Sequence, residues 1–193
     1  RFNCTVSGGI NQFLIRGTVS NVKFLGVTFV NSMGISVHAA GTETSTVSFV
    51  DCEWRGNEGT SALLILQRSS RILSNSMTVE ILQSNFTDNN VVNGAVLNVG
   101  GKLFVQNTVF VQNVGESGAI GILEKGEISV LKSCFVNNQA GGKGKGGAIN
   151  LQDNSTFIRD SGNFGIGNTL CNGILSTADE IDAICGRACT VFM

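Results

Sequence analysis

The sequence has no proline and no tyrosine, and only one histidine and one tryptophan. A chain of 193 residues without proline must build its turns from other residues, and Gly and Asn are the natural choices among them. Every backbone amide hydrogen is also available, as the central strands of a sheet require. Charge is sparse: charged residues are 14% of the chain, the formal net charge is −1, and the 13 basic residues are scattered. That distribution excludes the clustered positive footprint of a nucleic-acid binder. No uninterrupted apolar stretch reaches the roughly 18 residues of a spanning helix, so helical membrane insertion is not expected. What is present is a globular composition, 42% hydrophobic with 25 glycines, that suits one domain over residues 1–193.

Six cysteines and three N-x-S/T sequons indicate the compartment. The sequons place candidate glycosylation sites at Asn3, Asn85 and Asn154. Together with the cysteines they point to a secreted or cell-surface glycoprotein carrying N-linked glycans. The start at Arg1 fits a mature chain whose leader has been removed.

The dominant signal is an internal repeat. Val47-Ser-Phe49-Val-Asp-Cys52-Glu-Trp54-Arg-Gly-Asn57 aligns with the stretches from Val79 to Asn89, Leu103 to Asn113 and Ile128 to Asn138. An earlier copy runs from Val22 to Phe29, with Asn31 one place short, and a degenerate one from Phe157 to Phe164, with Asn168 near its end. The four aligned copies are each followed by a Gly-Ala or Ser-Ala motif opening an alternating strand, at Ala62, Ala95, Ala119 and Ala148, with a weaker version, Gly34-Ile35-Ser36-Val37, after the earlier copy. The aromatics Phe29, Trp54, Phe86, Phe110, Phe135 and Phe164 are separated by 25, 32, 24, 25 and 29 residues. That period is too short for a packed domain but fits one solenoid coil. Within a coil the apolar residues alternate at period two, and the gaps have no room for crossover helices. The expected fold is an all-β, right-handed parallel β-helix of about six coils over residues 20–168. The six aromatics then form an interior stack. Asn57, Asn89, Asn113 and Asn138 form a ladder at a corner, where Asn tolerates a left-handed backbone and amides can bond along the axis.

The alternation of F-x-x-N (at Phe86, Phe110 and Phe135) with G-G-A-I (Gly146 to Ile149) resembles the passenger repeats of the chlamydial polymorphic outer-membrane proteins. These are surface proteins of the pectin-lyase-like β-helix fold. The resemblance covers about residues 20–168 and implies a surface-displayed adhesin or stalk; the membrane barrel of those proteins has no counterpart here.

Enzymes are common on β-helices, and their chemistry makes definite demands on residue type and placement. Glycoside hydrolysis needs two carboxylates held across one bond. In the repeat frame the acids fall in different columns: Asp51 aligns with Gln83, Asn107 and Lys132, and Asp88 with Gly56, Gln112 and Asn137. No catalytic pair, cofactor motif or metal set emerges. His38 would have to serve any Ser-His-Asp triad, yet it has no partner nearby in sequence; an ordinary strand histidine is the simpler reading. Gly141 to Gly147 carries Lys143 and Lys145 but lacks the G-K-[ST] ending of a phosphate loop, and reads as a basic insertion.

The cysteines divide into groups. Cys52 falls in an inward column with Val27, Ser84, Thr108 and Ser133. Cys134 shares an outward column with Asn85. Cys171, Cys185 and Cys189 crowd the C-terminus around a short helical pattern at 176–184, so residues 169–193 read as a cap stapled by Cys171 to Cys185 or Cys189, which leaves the third of these cysteines in need of another partner. Cys4, at the far end, has a partner only if chains stack end to end. The functional expectation is a non-enzymatic stalk, adhesin or filament subunit whose partners are copies of itself and extracellular polysaccharide. The alternatives are a polysaccharide lyase, hydrolase or epimerase, and a glycan-binding module without turnover.

Overall fold

The computed structural model describes residues 4–17, 21–41, 45–67, 77–141, 147–152 and 154–170. Among them there is no helix, and the chain is a parallel β-solenoid of about 5 turns. The strands fall into a six-stranded, a seven-stranded and a nine-stranded sheet. Each coil visits the three in that order. The coil from Thr78–Leu82 passes through Asn85–Thr87 and Asn90–Val99 before Lys102–Gln106 opens the next. The sequence leads to about six coils, whereas six stacked strands in one sheet make five coil-to-coil steps. The capping pattern at 176–184, Cys171, Cys185, Cys189, Asn3 and the lysines of the Gly141–Gly147 insertion lie outside the described residues.

Period-two alternation explains the core. Val47, Val79, Leu103 and Ile128 pair in register with their side chains buried, as do Phe49, Ile81, Val105 and Val130. In the seven-stranded sheet Phe29, Trp54, Phe86, Phe110 and Phe135 pair in register, all fully buried. Trp54 and Phe86 stack at 4.4 Å and 5°, Phe86 and Phe110 at 4.9 Å and 11°, and Phe110 and Phe135 at 4.9 Å and 1°. These separations match the roughly 4.8 Å strand spacing, so the rings stack because the backbone places them one above another. Phe164 departs from this column. Its register partner is Cys134, on the outer face, and Gly165 lies opposite Phe135. The extra residue Ile158 bulges from the strand between the partners of Ile128 and Ser129 and advances the register by one.

The corners are made differently from the expectation. The left-handed residues are not the ladder asparagines but their predecessors: Asn31, Gly56, Asp88, Gln112, Asn137 and Gly167, at φ between 51° and 66°. A second such column joins the six- and seven-stranded sheets through Gly26, Asp51, Gln83, Asn107, Lys132 and Gly162. One left-handed residue reverses the inside-outside alternation, so the next side chain turns inward. That geometry buries the ladder asparagines completely.

Candidate functional site

The densest polar arrangement is the interior ladder. Asn57 Nδ2 donates to Asn89 Oδ1 at 2.8 Å, Asn89 Nδ2 to Asn113 Oδ1 at 2.8 Å, Asn113 Nδ2 to Asn138 Oδ1 at 2.9 Å, and Asn138 Nδ2 to Asn168 Oδ1 at 2.9 Å. Each Oδ1 also accepts the backbone N–H of the preceding member: Asn57 to Asn89, Asn89 to Asn113, Asn113 to Asn138, and Asn138 to Asn168. Each Nδ2 also donates to the carbonyl of an aromatic-column residue, as Asn113 does to Phe86 O at 2.9 Å. A primary amide supplies two donor hydrogens and a two-fold acceptor at once, and Asn carries it on a short side chain. Towards the chain start the column changes type, and Ser32 N–H donates to Asn57 Oδ1.

A second ladder lines the other corner, and its bonding was not foreseen from the sequence. The N–H of Cys52 donates to Ser84 Oγ, that of Thr108 to Ser133 Oγ and that of Ser133 to Asn163 Oδ1, at 3.1, 3.2 and 2.9 Å. The recurrence of small polar residues after the left-handed corner was the available signal. Cys52 heads this column as a buried thiol whose pKa is raised by burial.

Among the described residues the titratable groups do not converge. Lys102 Nζ lies 3.4 Å from Glu127 and Arg55 Nε lies 4.0 Å from Glu53, all four at least partly exposed. His38 is half-buried on the outer side of the nine-stranded sheet, between Leu14 and Leu64 in register. Among the described residues no three His, Cys, Asp or Glu side chains group as metal ligands would. A depression on the six-stranded sheet, about 220 Å³, is lined by Thr78, Lys102, Phe104, Glu127, Ser129 and Ile158. It is smaller than the roughly 300 Å³ at which small-molecule pockets begin.

Asn85 and Asn154 are exposed. Cys4 is an exposed free thiol on the first described strand, Cys52 is a buried one, and Cys134 is not free. In the outer face of the seven-stranded sheet Cys134 follows Glu53, Asn85 and Val109 in register and precedes Phe164. No known protein family, curated protein or solved structure matches the chain.

Proposed function

We propose that the protein is a non-enzymatic extracellular structural or adhesive module: a stalk, surface adhesin or filament subunit. The observation that carries this reading is the unbroken amide ladder from Asn57 to Asn168. Its buried polar groups bind one coil to the next instead of converging on a reactive centre. Such a chain resists bending along its axis, because lengthening any coil spacing breaks strand, amide and ring contacts together. We read the winding as right-handed, the hand that nearly all parallel strand connections take. The exposure of Asn85 and Asn154 suits glycans that keep a rod hydrated. The likeness of the repeats to chlamydial surface passengers supports display at a cell surface. Any strand edge left unpaired is a template for a further copy.

The test is electron microscopy of the purified chain secreted from a eukaryotic host, with and without enzymatic removal of N-glycans. Rods or end-to-end strings, and a mass shift on deglycosylation, are the expected results. Turnover of a polysaccharide that is lost on changing a single carboxylate would overturn the assignment.

Phe104 favours a second reading, a glycan-binding module. Its ring lies on an outer sheet face beside the hydroxyls of Thr78 and Ser129 and the Lys102–Glu127 pair. Aromatic stacking plus charged hydrogen-bonding groups is the chemistry of sugar recognition. Retention on immobilised acidic polysaccharide that disappears in Phe104→Ser would support it.

A further inference from the structure

The first described coil closes the interior differently from the coils after it. Its strands, Cys4–Ser7, Asn11–Gly17 and Asn21–Leu25, each stand last in their sheet among the described residues. Phe13 pairs in register with Val37, yet Phe13 is 37% exposed where Val37 is fully buried. Its ring meets Phe24 at 5.4 Å and 80° and Phe29 at 5.8 Å and 87°, edge to face, whereas the rings of later coils lie stacked. Gln12 Nε2 donates to Val30 O at 2.8 Å and Gly8 O at 3.1 Å, so one side chain of this coil closes the corner where the asparagine ladder gives way to Ser32. Ile10, Leu14 and Leu25 are exposed on the same coil. The far end contrasts with this. Asn163 and Asn168, the last described members of the two corner columns, are only 2% and 4% exposed.

We propose that the first coil is a dimer interface, at which two copies of this chain meet head to head about a two-fold axis. Exposed apolar side chains gathered along strand edges call for a cover, and the edges of an identical copy supply one by pairing. Among the described residues only this end of the solenoid shows such exposure. A contact that uses the same surface on both copies is isologous and closes at two, whereas a filament would need the far end as well. Size agrees with this. Coils of 24 and 25 residues match the roughly 20–30 residues a side of a standard interface. The coil has three sides, so a two-fold axis crossing its end carries one side onto itself and exchanges the other two. Asn11–Gly17 is the longest of the three strands and holds Phe13 and Leu14, so it takes the self-paired place, where the axis sets the two copies antiparallel. Centring that pair on Leu14 brings Phe13 against Ile15, and Arg16 against the uncharged Gln12. Lys23, the other charged residue of these strands, comes to face Cys4–Ser7, which carries no charge. Like charges therefore do not meet across the interface.

The pairing does not depend on the structural or adhesive reading, since a catalytic or glycan-binding chain would pair in the same way, so the two fail separately. The full chain is sedimented with a reductant, which removes disulfide links between copies, from about 1 to about 100 μM. A single step from the 20.3 kDa monomer to twice that mass is expected. A monomer throughout, or a mass that keeps growing with concentration, overturns the proposal. Hydrogen exchange of the wild type at the two extremes of concentration locates the contact. Amides within 4–17 and 21–25 are expected to slow by about tenfold or more at the high concentration, with those of 156–170 unchanged. Slowing at both ends marks a head-to-tail contact and overturns the two-fold; no slowing within 4–25 overturns the site. Ile10→Lys and Leu14→Lys place a charge on side chains that are already exposed, and each is expected to weaken the dimer by about tenfold or more. Ile166→Lys, also exposed but on the far coil, is expected to leave it unchanged. A dimer that survives both of the first two, or is lost in the third, overturns the assignment.

Discussion

Replacing Asn113 by alanine tests the central physical claim. Asn113 is fully buried, and its Oδ1 accepts the Asn89 N–H at 3.3 Å and Asn89 Nδ2 at 2.8 Å. Its Nδ2 donates to Phe86 O and Asn138 Oδ1, both at 2.9 Å. Alanine strands two buried donors on Asn89. Asn138 Oδ1 keeps the Asn113 N–H, so the acceptor side suffers less. At about 1–3 kcal/mol for each buried group left unpaired, the expected loss is about 3–5 kcal/mol, a large share of the roughly 5–15 kcal/mol that holds a typical domain folded. Asn113→Asp separates hydrogen bonding from shape. Its carboxylate can accept from Asn89 but cannot donate, and it faces Phe86 O and Asn138 Oδ1. Folding therefore favours the protonated acid and raises its pKa. This variant is most stable below the unfolded carboxyl value of about 3.9 and weakens as pH climbs above it. The assay is urea unfolding of wild type, both variants and the exposed control Asn85→Ala, between pH 3 and pH 8. A loss of less than about 1 kcal/mol in Asn113→Ala, at an unchanged denaturant slope, would refute the ladder as a source of stability.

Lys132, at φ 48°, holds a left-handed corner that Gly26 and Gly162 occupy elsewhere in the column. Lys132→Gly should therefore gain about 0.5 kcal/mol in thermal unfolding, the net of relieved backbone strain and lost chain stiffness. Gly59 has φ 115°, and a Cβ there would sit 2.6 Å from Gly34 Cα. Gly59→Ala should lower the melting temperature by at least 5 °C, as expected of a cost of about 2 kcal/mol or more. Cys52 should resist a thiol reagent in the native state while Cys4 reacts at once. Because burial raises the Cys52 pKa, its stability contribution is complete below the unfolded thiol value of about 8.5. It is lost as pH rises towards the folded value, whereas a Cys52→Ala variant should show a flatter profile there. Trp54→Phe should stay within about 1 kcal/mol of wild type in urea, because the lost ring volume is offset by removal of an indole N–H that has no partner among the described residues.

What the sequence reveals follows from what each position must do. Inward columns are legible because stacking makes successive coils ask for the same side chain. Val47, Val79, Leu103 and Ile128 are alike for that reason, and so are the ladder asparagines. The left-handed corners are hidden because they ask only for a backbone conformation. Asp51, Gln83, Asn107 and Lys132 share φ near 50° and no side-chain chemistry. Phe164 misleads because its ring stands about one period past Phe135 while the bulge at Ile158 has advanced the register. Gly162 followed by the buried Asn163 marks the true corner there, matching Lys132-Ser133 and Asn107-Thr108. Function was the least legible, because outer columns are not repeated. Ser48, Glu80, Phe104 and Ser129 occupy equivalent outward places with unrelated chemistry.

That contrast between repeated interior and unrepeated exterior bears on where any activity must reside. Each coil touches only its neighbours, so stability accumulates coil by coil. A substitution on an outer face leaves those contacts nearly untouched. The outer faces can therefore vary without loss of the solenoid, and among the described residues two outer-face features are notable. One is Phe104 with the Lys102–Glu127 pair on the six-stranded sheet. The other is the apolar run around Cys134 on the seven-stranded sheet. They lie on different sheets of the same coils, so whatever meets one leaves the other accessible. A partner recognised at Phe104 should then bind equally well to the reduced and the oxidised chain.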